Sequence, residues 1–393
     1  MGQLTGIKVL DLTRVLSGPF CTQLLGDLGA DVLKIESGDG DQVRGQGVIR
    51  DGLSWYFATY NRNKRSMRLN LRKPEAKEIL ADLVRRSDVV VENFRPGVLA
   101  EMGFGWERLV ALKPDIVLCS ISGFGQNGPY RDRPAFDFVA QAMSGFMSLN
   151  GRAEDPPMRS GLPISDLIAG LYGALGVCAA LVRRRETGRP EHVDTALVDG
   201  LTSFTAYAGA EVLATGRQAP RLGNDHPVVA PYGLFETADG VIAIAPANDE
   251  IYRRLQRALE LTHLDADPSF ATAAARFANR GRINAEVEGR LRQRPRAHWI
   301  DVLNRAGVPC AEVKDLVQAF ADPQTQAREM TIEVPHPGHG TVRMTGFPLK
   351  FREHPCRVAR PAPDLGQHGE EVLRELGRDD AAIARLRAAG ALD

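Results

Sequence analysis

The chain has 393 residues, which is more than one ordinary domain holds and predicts two domains. Hydrophobic residues make up 44% and charged residues 25%, a composition typical of globular proteins rather than disordered or fibrous ones. Lysine plus arginine and aspartate plus glutamate number 49 each, so no net charge draws the chain to nucleic acid or to an anionic membrane, and neither is expected as a partner.

The first elements of the chain predict a parallel sheet. Residues 7–12 (IKVLDL) are typical of a strand, FCTQLLGDLGA is typical of a helix, and DVLKIE predicts a second strand. A strand, a helix and a strand in this order form a parallel unit. The loop after the first strand, TRVLSGP, lacks the GxGxxG pattern of dinucleotide-binding proteins.

Strands and helices continue to alternate through the first third of the chain. Residues 74–87 predict an amphipathic helix with Pro74 in its first turn, and strands follow at 88–93 and 115–123. This order predicts an α/β fold with an open, Rossmann-like parallel sheet. The loop at 124–137 (FGQNGPYRDRPAFD) follows one of these strands, and ligands of such sheets bind beyond the carboxyl ends of the strands. We therefore expect a binding site there.

The rest of the chain predicts a smaller inserted domain. Residues 225–325 contain a hairpin around TADG, several helices and one further strand, which indicates a small α+β domain. Residues 326–393 return to β character and end in helices. We therefore predict a large domain built from 1–224 and 326–393, with the small domain between them.

The five cysteines favour a reduced, cytoplasmic protein. Their number is odd, they lie far apart in sequence, and neither a CxxC pair nor a metal-ligand spacing is present, so no metal site is expected. The first residues show no basic segment followed by an apolar run, so no secretory leader is expected. The longest apolar run, 167–182, is interrupted by glycines and short for a membrane span, which favours a buried helix.

Asp166 is the catalytic candidate that the sequence itself singles out. It stands in SGLPISDLIAG, just before a run rich in glycine and alanine. One interpretation is structural, because an aspartate at the start of a helix accepts hydrogen bonds from the first free amides. The other is chemical: the helix dipole keeps the carboxylate ionised, small residues let another backbone or a ligand approach, and a carboxylate in a dry site can act as a nucleophile.

Seven segments spread over nearly the whole chain carry a resemblance to a known family. They are LDLTRVLSGPFCTQLLGDLGADVLKIE, NRNKRSMRLNL, VENFRPG, CSISGFGQNGPY, DFVAQAMSG, SDLIAGLYG and RLGNDHPVVAPYGLF. In this order they resemble the signatures of the class III CoA-transferases, the family of formyl-CoA transferase and carnitine CoA-transferase. Within it the chain looks most similar to succinyl-CoA-dependent dicarboxylate transferases such as the glutarate enzyme. The resemblance implies an interlocked homodimer.

The same resemblance implies that Asp166 is the nucleophile of a CoA transfer. In the family, the matching aspartate attacks an acyl-CoA thioester and forms an aspartyl anhydride. CoA thiolate then returns to give an aspartyl-CoA thioester, and an acceptor carboxylate reverses the sequence. Coenzyme A is thus a substrate, succinyl-CoA is the expected donor, and no permanently bound cofactor is implied. Such chemistry needs N–H donors for the developing oxyanion and exclusion of water.

Two neighbouring residues separate transfer from isomerisation. Asp137 matches an acidic position near the nucleophile, where a second carboxylate tunes the first or binds substrate; alternatively it caps the helix that begins at Phe138. The similar α-methylacyl-CoA racemases carry a histidine where this chain has Phe136. Because phenylalanine cannot transfer a proton, the racemase alternative is disfavoured. Phe136 is then expected in the substrate pocket.

The resemblance adds Tyr56 and His226 to that pocket. Tyr56 matches an aromatic residue near the acyl group, although a tyrosine in SWYF is equally explained as part of the core. His226 stands in GNDHPVVAPYG, which matches a small-domain loop that closes over the site. Formyl-CoA transferase has a glycine run in that loop and this chain does not, and a lone histidine beside proline is also explained by structure alone.

Leu16 bears on the choice of acid. Formyl-CoA transferases that use oxalate carry a glutamine at the matching position, and because leucine cannot hydrogen-bond the substrate, formyl-CoA/oxalate activity is not expected. A dicarboxylate acceptor requires a cation at its far end. Arg14, Arg44 and Arg50 are candidates by their position in substrate-side loops, with a surface location as the alternative.

The basic run at 61–73 (NRNKRSMRLNLRK) suggests where the CoA phosphates bind, although a run of charge is usually a solvated face. The family places nucleotide contacts at positions that match Leu69–Arg72 and Asn93–Phe94, and Arg72 and Arg95 are the phosphate candidates. Where the family can carry an arginine after GVLA, this chain has Glu101. The implied CoA-binding residues are Val15, Leu16, Ser17, Leu69, Arg72, Asn93, Phe94 and Arg95.

Overall fold

A computed structural model describes residues 2–392 of the chain. Its longer strands are numbered in chain order, and a two-residue hairpin between β2 and β3 additionally pairs Ile49–Arg50 with Leu53–Ser54. The strands are β1 (Lys8–Asp11), β2 (Asp31–Glu36), β3 (Lys64–Arg68), β4 (Val89–Glu92), β5 (Val117–Ser122), β6 (Glu191–Ala196), β7 (Gly233–Glu236), β8 (Val241–Ile244), β9 (Cys310–Glu312), β10 (Thr331–His336) and β11 (Gly340–Thr345).

Six of the described strands pair in parallel as one sheet, in the order β3-β2-β1-β4-β5-β6. This is the order of a doubly wound α/β fold, and the predicted fold class is confirmed. The chain moves outward from β1 to β3 and then returns to the other side of β1 as β4. Ligands of such sheets bind where the order reverses, beyond the carboxyl ends of the two strands. Those ends are Asp11 in β1 and Glu92 in β4.

The helices are also numbered in chain order, and short 3₁₀ turns occur at Gln42–Gly45, Thr262–Ala266 and Pro268–Phe270. The helices are α1 (Ser17–Asp27), α2 (Trp55–Asn61), α3 (Pro74–Arg86), α4 (Val98–Glu101), α5 (Trp106–Leu112), α6 (Asp137–Met143), α7 (Phe146–Leu149), α8 (Ile164–Thr187), α9 (Leu197–Ser203), α10 (Ala206–Thr215), α11 (Asp249–Ala258), α12 (Ala273–Ala278), α13 (Arg280–Leu291), α14 (Arg296–Arg305), α15 (Leu316–Ala321), α16 (Pro323–Ala327), α17 (Gly369–Glu375) and α18 (Asp380–Ala388).

Alternating side chains of the sheet form two hydrophobic layers. Val9 of β1 faces the layer that contains α1 and α8, whereas Leu10 faces the layer that contains α3, α5, α17 and α18. Helix α3 enters its layer because Ile79, Leu80 and Leu83 fall on one face at helical spacing. Each fully buried aliphatic side chain of this kind stabilises the fold by about 1.5–3 kcal/mol.

Helix α8 carries Asp166 and packs unusually close to α1. A Cβ on Gly170 would come within 2.5 Å of the Ser17 carbonyl oxygen, and one on Gly173 would meet the sulfur atoms of Cys21 and Cys119. The small residues of this helix are therefore needed for contact with another backbone. Helix α8 is longer than the predicted apolar run at 167–182, and by length and composition alone it could cross a membrane. The core helix of a globular protein can have the same length and composition, and one face of α8 packs on α1 and the sheet.

The chain divides into two compact units. The first comprises residues 2–147, 159–217 and 324–392, and holds the parallel sheet and the β10–β11 hairpin. The second comprises 148–158 and 218–323, where β7, β8 and β9 form an antiparallel sheet covered by α11, α13 and α14. The second unit thus begins at 218, not 225, and includes a short segment from within the first half of the chain.

Candidate active site

The loop after β1 is held by three side chains from outside it. The amide of Thr13 donates to Asp11 (2.8 Å), that of Arg14 to Asn93 (2.9 Å) and that of Val15 to Asp41 (3.1 Å). Val15 adopts φ 70°, in the left-handed region that β-branched residues rarely occupy. Strained backbone of this kind persists where its surroundings fix it, and it concentrates at functional sites.

A buried network of charges lies beneath this loop. Lys34 pairs with Asp41 at 3.0 Å and donates to the Thr13 carbonyl at 2.7 Å, while Lys64 pairs with Asp11 at 3.0 Å. Their side chains are almost completely buried. Burial lowers the pKa of Lys64 to about 8 even though Asp11 opposes the shift. These buried ion pairs therefore hold the loop after β1 in position.

Asp166 lines a cavity of about 200 Å³ at the carboxyl end of the sheet. The walls come from the loops after β1, β4 and β5 and from the starts of α8 and α9. Its lining residues are Arg14, Val15, Leu16, Ser17, Asn93, Phe94, Arg95, Pro96, Ile121, Ser122, Gly123, Arg131, Arg133, Pro134, Ala135, Phe136, Asp166 and Leu197.

The structure does not support the interpretation of Asp166 as the cap of its helix. It is the third residue of α8, after Pro163 at the cap position, and its side chain does not cap the helix. Burial, followed by the charge of Asp137, raises its pKa to about 7. Burial therefore acts against the ionisation that the start of the helix was expected to favour. A carboxylate poised near neutral pH is suited to chemistry.

Asp137 is the residue that ties the loop at 124–137 to α8. Its Oδ1 accepts hydrogen bonds from the Ser165 amide (3.0 Å) and hydroxyl (2.8 Å), and its Oδ2 accepts from Gln141 (2.7 Å). It is itself the first residue of α6, with Phe136 at the cap position. Asp137 therefore caps α8 rather than its own helix, and it fixes the residue next to Asp166.

Three of the predicted pocket side chains lie near Asp166. Phe136 is 71% exposed and Leu16 is buried, and both line the cavity. Tyr56 is half-buried and packs edge-on against Tyr60 at 5.6 Å. Burial, with a further contribution from the charge of Asp166, raises the pKa of Tyr56 well above its ordinary value, which places the phenol near that carboxylate.

A second cavity, of about 600 Å³, adjoins the first at Arg14 and Phe94. Arg72, a predicted phosphate ligand, lines it, whereas Arg95 lines the Asp166 cavity instead. Leu69 is buried in the core with its amide paired to the Glu36 carbonyl, so its side chain does not reach either cavity. The lining residues of this second cavity are Leu12, Thr13, Arg14, Ile35, Glu36, Ser37, Gly38, Gly40, Asp41, Arg68, Asn70, Leu71, Arg72, Phe94 and Met102.

Most of the basic run faces inward. Arg62 pairs with Asp27, Lys64 with Asp11, and Arg65 with Asp31, Glu371 and Glu375. Arg68 is different.

The Nε atom of Arg68 is buried and has no hydrogen-bond partner within residues 2–392. The Arg68 side chain lines the second cavity. Sequence reasoning did not select Arg68. Its position at the carboxyl end of β3 was the available signal, because the basic run spans that strand end.

The three arginines predicted to bind a dicarboxylate have different surroundings. Arg44 is bound bidentately to Glu36 and also contacts the Pro363 carbonyl, and Arg50 stacks on Trp55. Arg14 lines both cavities. Arg131 and Arg133 line the Asp166 cavity and were not selected, although they stand in the loop predicted to carry a site.

The remaining predicted positions are His226 and Glu101. His226 belongs to the second unit, where its ring packs 5.0 Å from that of Tyr232. Its role at the site remains a prediction. Glu101 is the exposed last residue of α4. No cluster of three metal-ligating side chains occurs among the described residues.

Comparison with known proteins gives a consistent result. A family model described as CoA-transferase family III matches residues 4–369. The chain is 39% identical to the acetyl-CoA:oxalate CoA-transferase of Acetobacter aceti, covering 97% of each protein. It is 36% identical to the succinate–glutarate CoA-transferase of Agrobacterium fabrum, covering 95% of each. A crystal structure of a CAIB/BAIF family protein from Brucella suis superposes with a TM-score of 0.84 at 37% identity, covering 95% of this chain and 99% of that one.

Proposed function

The chain belongs to CoA-transferase family III and moves CoA between an acyl-CoA and a carboxylate, and we propose that Asp166 carries this transfer from succinyl-CoA to a small carboxylic or dicarboxylic acid. The observation that supports this most directly is the position and state of Asp166. It is the acidic residue in the wall of a cavity at the sheet's topological reversal, and its pKa of about 7 leaves the carboxylate available near neutral pH.

The proposed reaction has two halves. The Asp166 carboxylate attacks the thioester carbonyl, the carbon–sulfur bond breaks, and CoA leaves as the thiolate, which gives an aspartyl anhydride. The thiolate then attacks the aspartyl carbonyl and releases the donor acid as its carboxylate, which gives an aspartyl-CoA thioester. The acceptor carboxylate reverses these two steps. Each half conserves charge, and no proton needs to be transferred.

The two adjoining cavities suggest how an acyl-CoA would lie. The acyl end would occupy the cavity at Asp166, and the nucleotide end would reach Arg68 and Arg72 in the larger cavity. Arg14 and Phe94 line both and would flank the part between them. The fixed backbone of residues 13–15 would then form one rigid wall of the path.

The acids are proposed from the names of the relatives and from the charge of the cavity. Glutarate and oxalate, in the names of the two relatives, are both dicarboxylates. Four arginines and one aspartate are the charged residues that line the Asp166 cavity, which favours a substrate with an additional negative charge. Leu16 in the wall offers no hydrogen bond, and this is the argument against formyl-CoA/oxalate exchange.

The alternative, racemisation of a 2-methylacyl-CoA, is disfavoured by Phe136. The side chain in front of Asp137 is a hydrocarbon, and proton exchange at the α-carbon needs a titratable group in that place. CoA exchange between two acids, compared with incorporation of deuterium at the α-carbon, separates the two reactions.

We also propose a homodimer that works in the cytoplasm. The outer face of α8 exposes Leu171, Leu175 and Val182, and α10 exposes Tyr207 and Leu213. Apolar exposure on this scale is typical of an interaction surface.

The five cysteine thiols are free, which supports a reducing compartment. Fractionation of the source cells tests the location.

A panel of acids tests the function. Purified protein is incubated with succinyl-CoA or acetyl-CoA and with single carboxylic acids, and new CoA thioesters are identified by mass spectrometry. Hydroxylamine, added during turnover, is expected to modify Asp166. Absence of any new thioester, or labelling at another residue only, would contradict the proposal.

A further inference from the structure

Cations surround the Asp166 cavity without contacting Asp166. Its charged lining consists of Arg14, Arg95, Arg131, Arg133 and Asp166 itself. Asp166 forms no ion pair with any described residue, and its pKa is raised rather than lowered. The arginines are therefore too far from this carboxylate to neutralise it. A ligand that touches Asp166 at one end can bring a second negative charge to them.

Arg133 is the arginine that is held in place and still has free donors. Its guanidinium stacks on Tyr130 at 3.7 Å, and the Tyr130 ring packs edge-on against Phe124 at 5.9 Å. The Arg133 amide closes a turn by donating to the Tyr130 carbonyl at 2.9 Å. Stacking uses the face of the guanidinium and leaves the in-plane N–H groups available for a carboxylate. No hydrogen bond or ion pair of this side chain occurs within the described chain.

The other three arginines are less suited to bind an acyl carboxylate. Arg131 already pairs with Asp132 at 3.2 Å. Arg14 lies where the two cavities meet and is directed toward the Phe94 ring, on the path toward the larger cavity. Arg95, which is exposed like Arg133, lacks a stacking partner among the described residues.

The chain also limits the separation between Arg133 and Asp166. Arg133 precedes Asp137 by four residues, a span of at most about 14 Å. Pro134 disfavours helical backbone at Arg133, which limits the positions that the Arg133 side chain can take. Asp137 is bonded to Ser165, the residue before Asp166. A guanidinium on this short tether lies within reach of a small ligand at Asp166.

From these relationships we propose that Arg133 binds the far carboxylate of a dicarboxylic acid, and of the corresponding dicarboxylyl-CoA, while the near carboxyl carbon reacts at Asp166. This assignment rests on the proposed function, and it names the substrate class as dicarboxylates over monocarboxylates. Arg133 is then a substrate-binding residue that sets specificity and not a participant in bond making.

The test compares Arg133→Gln and Arg133→Lys with Arg189→Gln as the control, because Arg189 is an exposed arginine that lines neither cavity. Exchange of labelled succinate with succinyl-CoA measures the dicarboxylate, and exchange of butyrate with butyryl-CoA measures the monocarboxylate. Arg133→Gln is expected to raise the KM for succinate by roughly 10- to 100-fold with no effect on butyrate, because a charged hydrogen-bond partner is lost. Arg133→Lys should recover part of the loss, since the charge remains without the planar fork. Arg189→Gln should change neither KM by more than about threefold, because a surface substitution outside both cavities has little effect.

Equilibrium binding separates failure of this assignment from failure of the proposed function. In an Asp166→Asn background, calorimetry measures the Kd of succinyl-CoA and of butyryl-CoA with and without Arg133→Gln. Selective loss of succinyl-CoA binding supports the assignment whether or not turnover occurs. Equal effects on both thioesters, no effect on either, or an equal effect from Arg189→Gln would overturn it. If the unaltered protein transfers CoA to no acid at all, the proposed function fails and this binding comparison still decides the role of Arg133.

Discussion

Asp137 stabilises the helix start that carries Asp166, and its charge also raises the pKa of Asp166. The Asp137 carboxylate accepts two hydrogen bonds from Ser165, the residue before Asp166, and it contributes after burial to a pKa of about 7. One side chain therefore both positions the nucleophile and tunes it. The raised pKa gives the first prediction.

Activity should fall on the acid side of neutrality. Because the ionised form of Asp166 is the nucleophile, kcat/KM should drop about tenfold per pH unit below about pH 7. Asp137→Asn removes the charge that opposes ionisation, so the acid limb should shift to lower pH. The shift should be incomplete, because burial is the larger cause. Rates measured from about pH 5 to 9 provide the check. Asp132→Asn, an exposed residue of the same loop, is the control, and an unmoved limb in Asp137→Asn would contradict the tuning role.

Asp166 should also reduce the stability of the fold in alkaline solution. Its pKa is higher in the folded than in the unfolded chain, where it has the ordinary value of 3.8, so the folded state binds more protons between these values. Stability therefore decreases as pH rises from about 4 to 7 and remains lower above it. Asp166→Asn removes this effect and should raise Tm at about pH 8 while changing it little at about pH 4.

Thermal unfolding at both pH values tests this, and the same variant should lack transfer activity. An equal change of Tm at both pH values would mean that packing, not ionisation, causes it. Loss of activity together with a higher Tm would show that a functional carboxylate is retained at a cost in stability.

The fold was predictable because its signals are local. The βα alternation, the helix at α3 and the TADG hairpin each depend on residues close in sequence, and the parallel order then follows from the handed connections of such units. The division between units was less predictable. Residues 148–158 join the second unit through contacts such as those of Arg221 with the carbonyls of Arg152 and Asp155, almost seventy positions away.

The site was predictable only in part, for the same reason. The sequence shows six cations between 62 and 73 but not which of them have internal partners. The partners of Lys64 and Arg62 are Asp11 and Asp27, on elements before β2, and Arg65 contacts Glu371 near the end of the chain. Without these long-range pairs, Arg68 cannot be distinguished from the cations that have internal partners.

Arg68 should anchor the nucleotide end of CoA. Its side chain lines the larger cavity and its buried Nε has no hydrogen-bond partner among the described residues, so Arg68→Gln is expected to raise the KM for succinyl-CoA roughly 10- to 100-fold with little change in kcat. A succinyl-pantetheine thioester, which lacks the nucleotide, should be used equally by both proteins. Steady-state kinetics with the two donors measure this, with Lys73→Gln from the same basic run as the control. A loss that is equal for both donors would contradict a nucleotide contact.

The outer face of α8 should be covered in solution. Leu175 is 62% exposed in the single chain, and Leu171 and Val182 lie on the same helix. Light scattering coupled to chromatography is expected to give twice the chain mass for the unaltered protein and the single mass for Leu175→Glu. Glu186→Gln, on the same helix, should leave the dimer intact. A monomeric unaltered protein, or a dimer that survives Leu175→Glu, would contradict the proposed interface.

The charges under the loop after β1 should be needed for both stability and activity. Asp41 holds the strained Val15 amide and neutralises Lys34, so Asp41→Asn leaves a buried ammonium group unpaired. Breaking a buried pair in this way costs about 3–5 kcal/mol, whereas removing both charges costs less. Denaturant unfolding should therefore show a large loss of stability for Asp41→Asn and a smaller one for Asp41→Asn combined with Lys34→Met. Asp39→Asn, exposed two positions earlier, should be neutral.

Because neither Asp41 variant offers Val15 a carboxylate, both should raise the KM for the acyl-CoA even at temperatures where they are fully folded. Normal kinetics in the double variant would show that the fixed backbone of Val15 is not part of the CoA path.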